Sequence, residues 1–255
     1  MARVTAHALA GIPEIQPGDD LAGTIATAAG PGTLRAGLVL AIAHTVVSKA
    51  EGALVHLADV RPSARAIELG NQQDKDPRLV QVTLDQSAEI LRAERGVLIS
   101  RTHHGFVCAN AGVDSSNAPG PEQVVLLPLD PDASARALRA RIGELAGLRG
   151  AERPAVMITD SFGRAWRHGQ TDVAIGLAGL AALDDWRGRT DANGLRLQAT
   201  WLAIADAAAG AADLARAKDS SEPVVLIEGL ERFIAADDGP GALALLRPPA
   251  EDMFA

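Results

Sequence analysis

The stretch Gly105-Phe-Val-Cys-Ala-Asn-Ala-Gly-Val-Asp-Ser-Ser-Asn117 joins a short β-like segment to a turn of small and polar residues. It releases Asp114 and Asn117 at the end of a predicted strand, where functional groups concentrate. A second acid, Asp160, occupies a similar place in Thr159-Asp-Ser-Phe-Gly-Arg164. Two carboxylates at strand ends, both followed by hydroxyls, predict a divalent metal site, because hard cations prefer oxygen ligands and bridge proteins to nucleotide phosphates. The sequence therefore favours an enzyme over a scaffold.

The composition is that of an ordinary globular chain. Its 255 residues are 47% hydrophobic and 22% charged, with a formal net charge of −8. The acidic excess argues against a nucleic-acid partner, since phosphate contacts supply most non-specific affinity. A single cysteine, Cys108, excludes an internal disulfide and fits a reducing compartment. With neither a signal-peptide pattern nor an uninterrupted apolar stretch of about 18 residues, we expect a cytoplasmic protein without a membrane partner.

Strand-like and helix-like patterns alternate irregularly, which predicts an α+β fold rather than a regular βαβ series. The nearly continuous apolar run over residues 38–47 has the character of a strand. Residues 78–94 predict a helix, because apolar side chains recur there at helical spacing. A strand over residues 155–158 is expected to stop at Asp160. Asp132 is the expected N-cap of the helix that follows it.

We expect one unit over residues 1–255, or two interlocked lobes of mixed sheets and helices. No repeat of fixed period and no low-complexity linker divides the chain. Residues 231–255, which contain the Gly239-Pro240 turn signal, predict a peripheral C-terminal tail.

Each candidate site residue has a structural alternative. Asp114 and Asn117 could form an Asx turn, in which their side chains bond the local backbone. Asp160 could join a surface ion-pair network with Arg164, although an arginine there could equally hold anionic substrate groups. Lys49 is a candidate phosphate contact because it follows a buried-looking segment, with a solvated side chain as the alternative.

Several familiar sites do not occur in the sequence. We find no Walker-type phosphate loop, no Gly-x-Gly-x-x-Gly dinucleotide fingerprint and no Gly-x-Ser-x-Gly elbow. His103 and His104 do not predict zinc, because adjacent residues of a strand face opposite ways and no third ligand follows at a zinc-like interval.

At its motifs the chain resembles the coenzyme F420-0:γ-glutamyl ligase family. The matching segments, in family order, are Gly11-Ile-Pro-Glu-Ile15, Pro17-Gly-Asp-Asp-Leu21, Val47-Ser-Lys-Ala-Glu-Gly52, residues 104–117, Leu127-Pro-Leu-Asp-Pro-Asp132, residues 159–164 and Val173-Ala-Ile-Gly176. The resemblance covers roughly residues 10–230. The long central motif is very specific.

The resemblance implies a ligase that uses GTP and a divalent metal to join L-glutamate to the carboxylate of F420-0, a deazaflavin phosphodiester. The reaction would pass through an acyl phosphate and continue by γ-linked extension. Mg²⁺ or Mn²⁺ is the implied cofactor, GTP the co-substrate and K⁺ a further candidate ion. The resemblance also implies a homodimer of α+β subunits that acts on small molecules.

The resemblance assigns roles to individual residues as well. The nucleotide-binding residues it implies are Ile12, Pro13, Glu14, Ile15, His44, Lys49, Asn117 and Lys218, with the loop 216–223 closing over the phosphates. Asp114, Asp160 and Ser161 would hold the metal. The expected catalytic residues are Asp114, Asp160 and Arg164.

Four positions depart from the family pattern. Thr45 stands where a lysine is usual, Trp201 replaces a glutamate, Ala207 replaces an acid and Ala217 replaces a glycine. Loss of a lysine at a nucleotide-contacting position removes a charge-assisted hydrogen bond, worth about 1.5–3 kcal/mol. Two alternatives therefore stay open. One is an amide ligase of the same build with a different acceptor, and the other is a non-catalytic protein that binds a nucleotide or deazaflavin.

Overall fold

The computed structural model describes residues 3–217 and 219–252. The α-helices within this part of the chain are α1 (Leu21–Ala29), α2 (His44–Ala50), α3 (Ala64–Gln73), α4 (Pro77–Asp85), α5 (Pro131–Ala146) and α6 (Ile204–Ala215). The strands are β1 (Thr5–Ala8), β2 (Val39–Ala43), β3 (Leu54–His56), β4 (Ser87–Glu94), β5 (Val97–Thr102), β6 (Val107–Ala109), β7 (Gln123–Val125), β8 (Ala155–Arg164), β9 (Arg167–Ala178), β10 (Leu183–Asp185), β11 (Trp201–Ala203) and β12 (Val224–Glu228). Among the described residues, no helix is both long and apolar enough to span a bilayer.

A five-stranded sheet of order β1-β12-β2-β8-β9 forms the centre of the molecule. β2 and β8 run parallel in its middle, and the other neighbouring strands are antiparallel. One face is covered by α1 and α5, whose Ile25 and Ile142 pack in the same core as Leu40 of β2. The alanine-rich face of α6 packs on the other side of the sheet. Because both faces are buried, the central strands are continuous apolar runs rather than alternating ones.

The apolar run over residues 38–47, predicted as a strand, is divided between two elements. β2 ends at Ala43 and α2 begins at His44 without a loop between them. A short apolar run does not distinguish a buried strand from a buried helix, which explains the error. The division matters because Ala43 pairs with Thr159 in the parallel register. His44, the first residue of α2, and Asp160 of β8 therefore lie side by side.

Residues 78–94, predicted as one helix, contain a helix and a strand. α4 ends at Asp85, and β4 then pairs with β5 through two register shifts. These irregularities leave Ser87, Ile90 and Ala93 less exposed than their neighbours. A bulged strand can thus bury every third residue and imitate helical spacing.

A smaller group of elements lies beside the central sheet. β4, β5 and β6 form an antiparallel sheet, and β3 pairs with β7. Helices α3 and α4 pack on the first of these sheets through a core that includes Leu69, Val80 and Leu98. This mixture of separate sheets and helices confirms the predicted α+β class.

The first turn of α5 differs from the prediction. The helix is capped by Asp130, whose carboxylate accepts the N–H of Ala133 at 2.9 Å. Asp132, the predicted cap, is instead buried. Its Oδ1 accepts the N–H groups of Leu177 and Ala242, both at 2.8 Å. Asp132 thereby joins α5 to β9 and to the C-terminal segment.

A second residue of α5 anchors the segment predicted as a peripheral tail. Arg139 is fully buried, and its guanidinium donates to Asp238 Oδ1 at 2.8 Å. It also donates to three backbone carbonyls, those of Pro154 at 3.2 Å, Ala235 at 2.5 Å and Asp237 at 2.6 Å. The described part of the tail is therefore attached to the body by buried hydrogen bonds.

Candidate active site

A cavity of about 700 Å³ opens at the carboxyl ends of β2 and β8. Ligands of open α/β sheets commonly bind at this edge, and the volume suits a small-molecule ligand. Its lining is drawn from distant parts of the chain, within residues 12–14, 43–49, 108–117, 159–163, 170–172, 216–217 and 221–223. The fold thus brings together motifs that are far apart in the sequence.

Asp160 lies on the cavity wall beside His44. The prediction that its strand stops there is wrong, because β8 continues to Arg164. The Nε2 atom of His44 is 3.3 Å from Asp160 Oδ1, and His44 is only 3% exposed. Asp160 Oδ1 also accepts the backbone N–H of Ser161 at 2.7 Å. Asp160 is thus partnered by an imidazole inside the site rather than by a surface arginine.

The turn that leads to Asp114 is strained. Asn110, Ala111 and Gly112 have successive φ angles of 50°, 54° and 70°. A left-handed backbone costs a non-glycine residue roughly 1–3 kcal/mol, so the surrounding packing must enforce it. Gly112 needs its small size as well, because a Cβ there would lie 2.7 Å from the side chain of Leu127. Beyond this turn, two backbone hydrogen bonds to Val125 fix Asp114 in place.

The carboxylate of Asp114 forms the Asx turn considered as the structural alternative. It accepts the N–H and hydroxyl of Ser116 at 2.7 and 2.6 Å and the amide of Asn117 at 2.7 Å. Asp114 also lines the cavity, so the two interpretations are compatible. Burial raises the pKa of Asp114, but the hydrogen bonds from Ser116 and Asn117 and the nearby His44 hold it below the ordinary 3.8. Asp114 is therefore ionised at neutral pH.

Of the predicted nucleotide-binding residues near the N-terminus, some line the cavity and one lies in the hydrophobic core. Ile12, Pro13 and Glu14 line the cavity, whereas Ile15 is 1% exposed and belongs to the core. Lys49 also lines the cavity, where its Nζ lies 2.6 Å from Glu14 Oε1. Because Lys49 is only 6% exposed, the alternative of a solvated lysine does not hold.

Arg164 lies apart from the two acids. It is exposed at the tip of the β8–β9 hairpin, where its guanidinium donates to the carbonyls of His168 and Gly169 at 2.7 and 3.4 Å. It is not among the residues that line the cavity. Lys218, also predicted as a nucleotide contact, lies outside the described residues.

Sequence reasoning missed Asp172, a buried acid of β9. Its carboxylate accepts the hydroxyls of Thr159 at 2.8 Å and Ser161 at 2.6 Å, and it pairs with the guanidinium of Arg216. Arg216 also donates to Thr159 Oγ1 at 2.7 Å and to the carbonyl of Pro223 at 3.1 Å. An aspartate directly before the apolar run of β9 over residues 173–178 was the available signal, because acids are almost never buried without a partner.

Cys108 behaves as a buried apolar residue on the cavity wall. It is 6% exposed, and burial together with the nearby Asp160 charge raises the pKa of its thiol to about 12. The raised pKa of the Cys108 thiol disfavours a nucleophilic thiolate.

The donor set fits a hard cation that is shared with a bound nucleotide. Asp114 and Asp160 contribute carboxylates to one cavity. Within residues 3–217 and 219–252, no group of three or more His, Cys, Asp or Glu side chains is arranged to hold a metal alone. One or two carboxylates, completed by phosphate oxygens and water, are the usual protein contribution to a Mg²⁺ site.

Of the four positions that depart from the family pattern, two line the cavity and two lie outside it. Thr45 and Ala217 line the cavity. Trp201 and Ala207 are exposed outside it, on β11 and α6. Only the first two are therefore placed to affect a ligand in the cavity directly.

The fold and the site define an α+β protein with an acid-lined cavity at the ends of two parallel strands. The family described as F420-0:Gamma-glutamyl ligase matches residues 11–229, and the chain belongs to this family. A relative from Methanopyrus kandleri, named coenzyme F420:L-glutamate ligase, is 46% identical over 243 residues, covering 94% of this chain and 93% of the relative. Proteins of the same name are 40% identical over 247 residues in Methanothermobacter thermautotrophicus, covering 96% of each chain, and 39% identical over 253 residues in Haloarcula marismortui, covering 96% and 93%. The resemblance inferred from the motifs is confirmed.

Proposed function

We propose that this protein is a ligase that adds L-glutamate to coenzyme F420-0, with GTP and Mg²⁺ or Mn²⁺. The observation that carries the proposal is the meeting of Asp114 and Asp160 in one cavity. The three relatives described above are each named coenzyme F420:L-glutamate ligase and match nearly their whole length. Family and site therefore support the same activity.

The chemistry needs an activated acceptor, because a carboxylate is a poor electrophile. An acceptor carboxylate oxygen attacks the γ-phosphorus of GTP, and GDP leaves. The amine of glutamate then attacks the acyl carbon of the resulting acyl phosphate. An amide bond forms, the carbon–oxygen bond to phosphate breaks, and the amine releases its proton. In such phosphoryl transfers the protein mainly positions the reactants and stabilises charge.

The cavity residues suit these tasks. Ile12 and Pro13 provide an apolar wall for the nucleotide. Lys49 supplies a compact positive charge for phosphate oxygens, and Glu14 holds its Nζ at the wall. Asp114 and Asp160 would hold the divalent cation. When bound, this cation offsets charge on the transferring phosphoryl group.

His44 is a buried imidazole that lies beside Asp160 on the cavity wall. Its Nε2 lies 3.3 Å from Asp160 Oδ1, and its electrostatic influence is one of the causes that lower the pKa of Asp114. Its other ring nitrogen lies 3.5 Å from the hydroxyl of Ser48, which is fully buried. The imidazole therefore has a fixed orientation at the wall where the nucleotide would bind.

The direct test is product formation from authentic F420-0, GTP, glutamate and either metal. We expect metal-dependent GDP release that requires both glutamate and F420-0, with glutamylated products detected by mass spectrometry. No product under these conditions would contradict the proposal. The homodimer belongs to the same proposal, and light scattering of the purified protein tests it.

An amide ligase with another acceptor is the second candidate. It is favoured by Thr45 and Ala217, which change the cavity lining where the family usually has lysine and glycine. A screen of carboxylate acceptors for amine-dependent phosphate release separates the two. A preference for F420-0 over every other acceptor would exclude this candidate.

A further inference from the structure

A buried acid joins three parts of the site from the α6 face of the sheet. Asp172 is 2% exposed, and its Oδ1 accepts the hydroxyl of Ser161 at 2.6 Å. Its Oδ2 accepts the hydroxyl of Thr159 at 2.8 Å and pairs with Arg216. Both carboxylate oxygens are thus engaged by donors from β8 and from the end of α6. Asp172 acts only as an acceptor here.

Arg216 extends this network to the loop 216–223. One terminal nitrogen of its guanidinium donates to Asp172 and Thr159, and the other donates to the carbonyl of Pro223 at 3.1 Å. Because the loop begins at Arg216 and ends at Pro223, one guanidinium connects its two ends. Asp172 in turn fixes that guanidinium to the central sheet.

We propose that Asp172 is a positioning residue for the nucleotide end of the cavity. It sets the base of the loop 216–223 through Arg216 and orients the hydroxyls of Thr159 and Ser161, and both of its carboxylate oxygens are engaged by these partners. The inference rests on the proposed function only for the identity of the nucleotide. Arg216, Ala217, Ser221, Glu222 and Pro223 all line the cavity, so a shift of the loop base changes the cavity wall.

The network requires a carboxylate and not merely a polar side chain. All three partners of Asp172 donate hydrogens, and a carboxylate offers acceptors on both oxygens. In Asp172→Asn the amide would turn a donor towards Ser161 or towards Thr159 and Arg216. Arg216 would also lose its counter-charge while only 12% of its side chain is exposed. Leaving a buried charge without its partner is strongly unfavourable.

A matched control is available at the other end of the sheet. Asp238 pairs with buried Arg139 at 2.8 Å, beside the start of β8 and away from the cavity lining. Asp238→Asn therefore makes the same chemical change to a carboxylate–arginine pair. A purely structural role for Asp172 predicts that the two variants behave alike at equal folded fraction.

Limited trypsin digestion of the full chain tests the proposal without any substrate, because Arg216 and Lys218 are cleavage points within the loop. We expect cleavage there to be about tenfold faster or more in Asp172→Asn than in wild type, as expected for loss of a charge-assisted hydrogen bond. Asp238→Asn should cleave at the wild-type rate. Equal acceleration in the two variants, or none in Asp172→Asn, would overturn the proposal.

Calorimetry with GTP and Mn²⁺ gives the second readout. The Kd for GTP should rise about tenfold in Asp172→Asn and in Arg216→Ala, and the double variant should be no worse than either single one, because both changes break one network. Additive effects on the Kd for GTP would contradict the shared network.

If Asp172→Asn does not fold, trypsin cleavage of the loop in Arg216→Lys tests the same proposal. A lysine keeps the charge but has a single nitrogen in place of the two terminal nitrogens that bond Asp172 and Pro223. Unchanged loop cleavage in this variant would again overturn the proposal.

Failure of this inference is distinguishable from failure of the proposed function. If wild type makes no glutamylated product but Asp172→Asn alone loosens the loop, the ligase assignment fails and the positioning role stands. If wild type turns over while loop cleavage and the Kd for GTP in Asp172→Asn stay at wild-type values, the positioning role is rejected and the ligase assignment stands.

Discussion

Two arginines, one fully buried and one partly buried, hold opposite ends of the central sheet in different ways. Arg139, near the start of β8, is fully buried and donates to Asp238 and to three backbone carbonyls. Arg216, near the carboxyl end of β2 and beside Thr159 of β8, shares Asp172 with two hydroxyls and lines the cavity. Each pairs with an aspartate and has one fully or nearly fully buried partner, yet only the second pair is placed where a ligand can meet it.

The difference shows what a buried ion pair can indicate. Removing two charges from water is costly, so a buried pair is weak evidence for net stability. At the Arg139 end the pair connects α5, β8 and the C-terminal segment, which accounts for it structurally. At the Arg216 end the pair connects β9, α6 and a loop beside the two acids. We therefore expect changes at the first end to lower stability and changes at the second to lower ligand binding or turnover.

The largest effect is expected from Asp160→Asn, which removes an anionic ligand from the cavity. Turnover should fall by about a thousandfold or more, because a bound metal ion supplies several kcal/mol of charge stabilisation. The free energy of unfolding in urea should change little, since Asn is nearly isosteric. Steady-state kinetics and urea unfolding of the same preparation measure both. Retained turnover would remove Asp160 from the metal site.

Arg139→Met should lower the stability of the protein and leave ligand binding unchanged. Removing one partner of a buried pair typically costs about 3–5 kcal/mol, so the free energy of unfolding should fall by this amount. The Kd for GTP of the folded fraction should remain at the wild-type value. Urea unfolding and calorimetry check the two expectations. Weakened GTP binding at full folding would break the proposed division between the two ends.

The decrease in the free energy of unfolding at acidic pH should depend on Asp114. The folded-state pKa of Asp114 lies below its ordinary 3.8. Its ionised form therefore stabilises the fold above that pH, and the contribution is lost as pH falls through the folded-state pKa. In Asp114→Asn, the difference in unfolding free energy from wild type should shrink as pH is lowered from about 6 towards 2. A difference that is independent of pH would contradict this assignment.

The smallest effect is expected at Asp206, in the first turn of α6. Burial raises the pKa of Asp206 above 3.8, against the lowering effect of the N–H of Ala174. A raised pKa gives stability that is complete below 3.8 and lost as pH rises through the folded-state pKa. Asp206→Asn keeps an acceptor for Ala174 and should slightly raise the melting temperature at neutral pH. A lower melting temperature there would contradict the assignment.

Local signals in the sequence were sufficient for part of this picture. The Asp114 turn carries its own Asx hydrogen bonds, and the apolar residues of β12 are followed by Gly229, which has a left-handed φ of 91°. Such features depend on neighbours within a few residues and are readable from composition and spacing. The specific central motif also identified the family correctly.

Non-local pairings could not be read in the same way. The contact between His44 and Asp160 follows from the register of Ala43 with Thr159, which no local pattern encodes. The burial of Asp172 depends on an arginine 44 positions along the chain. Irregular β4 imitated a helix because its bulges shift the burial period. Residues whose partners are distant in sequence are therefore the ones that required the structure.

The most direct test of the central claim is Mn²⁺ binding in the presence of a non-hydrolysable GTP analogue, followed by electron paramagnetic resonance. Wild type and Asp238→Asn should bind Mn²⁺ with the analogue, whereas Asp114→Asn and Asp160→Asn should each lose this binding. Full Mn²⁺ binding in both Asp114→Asn and Asp160→Asn would contradict a shared cation site in this cavity.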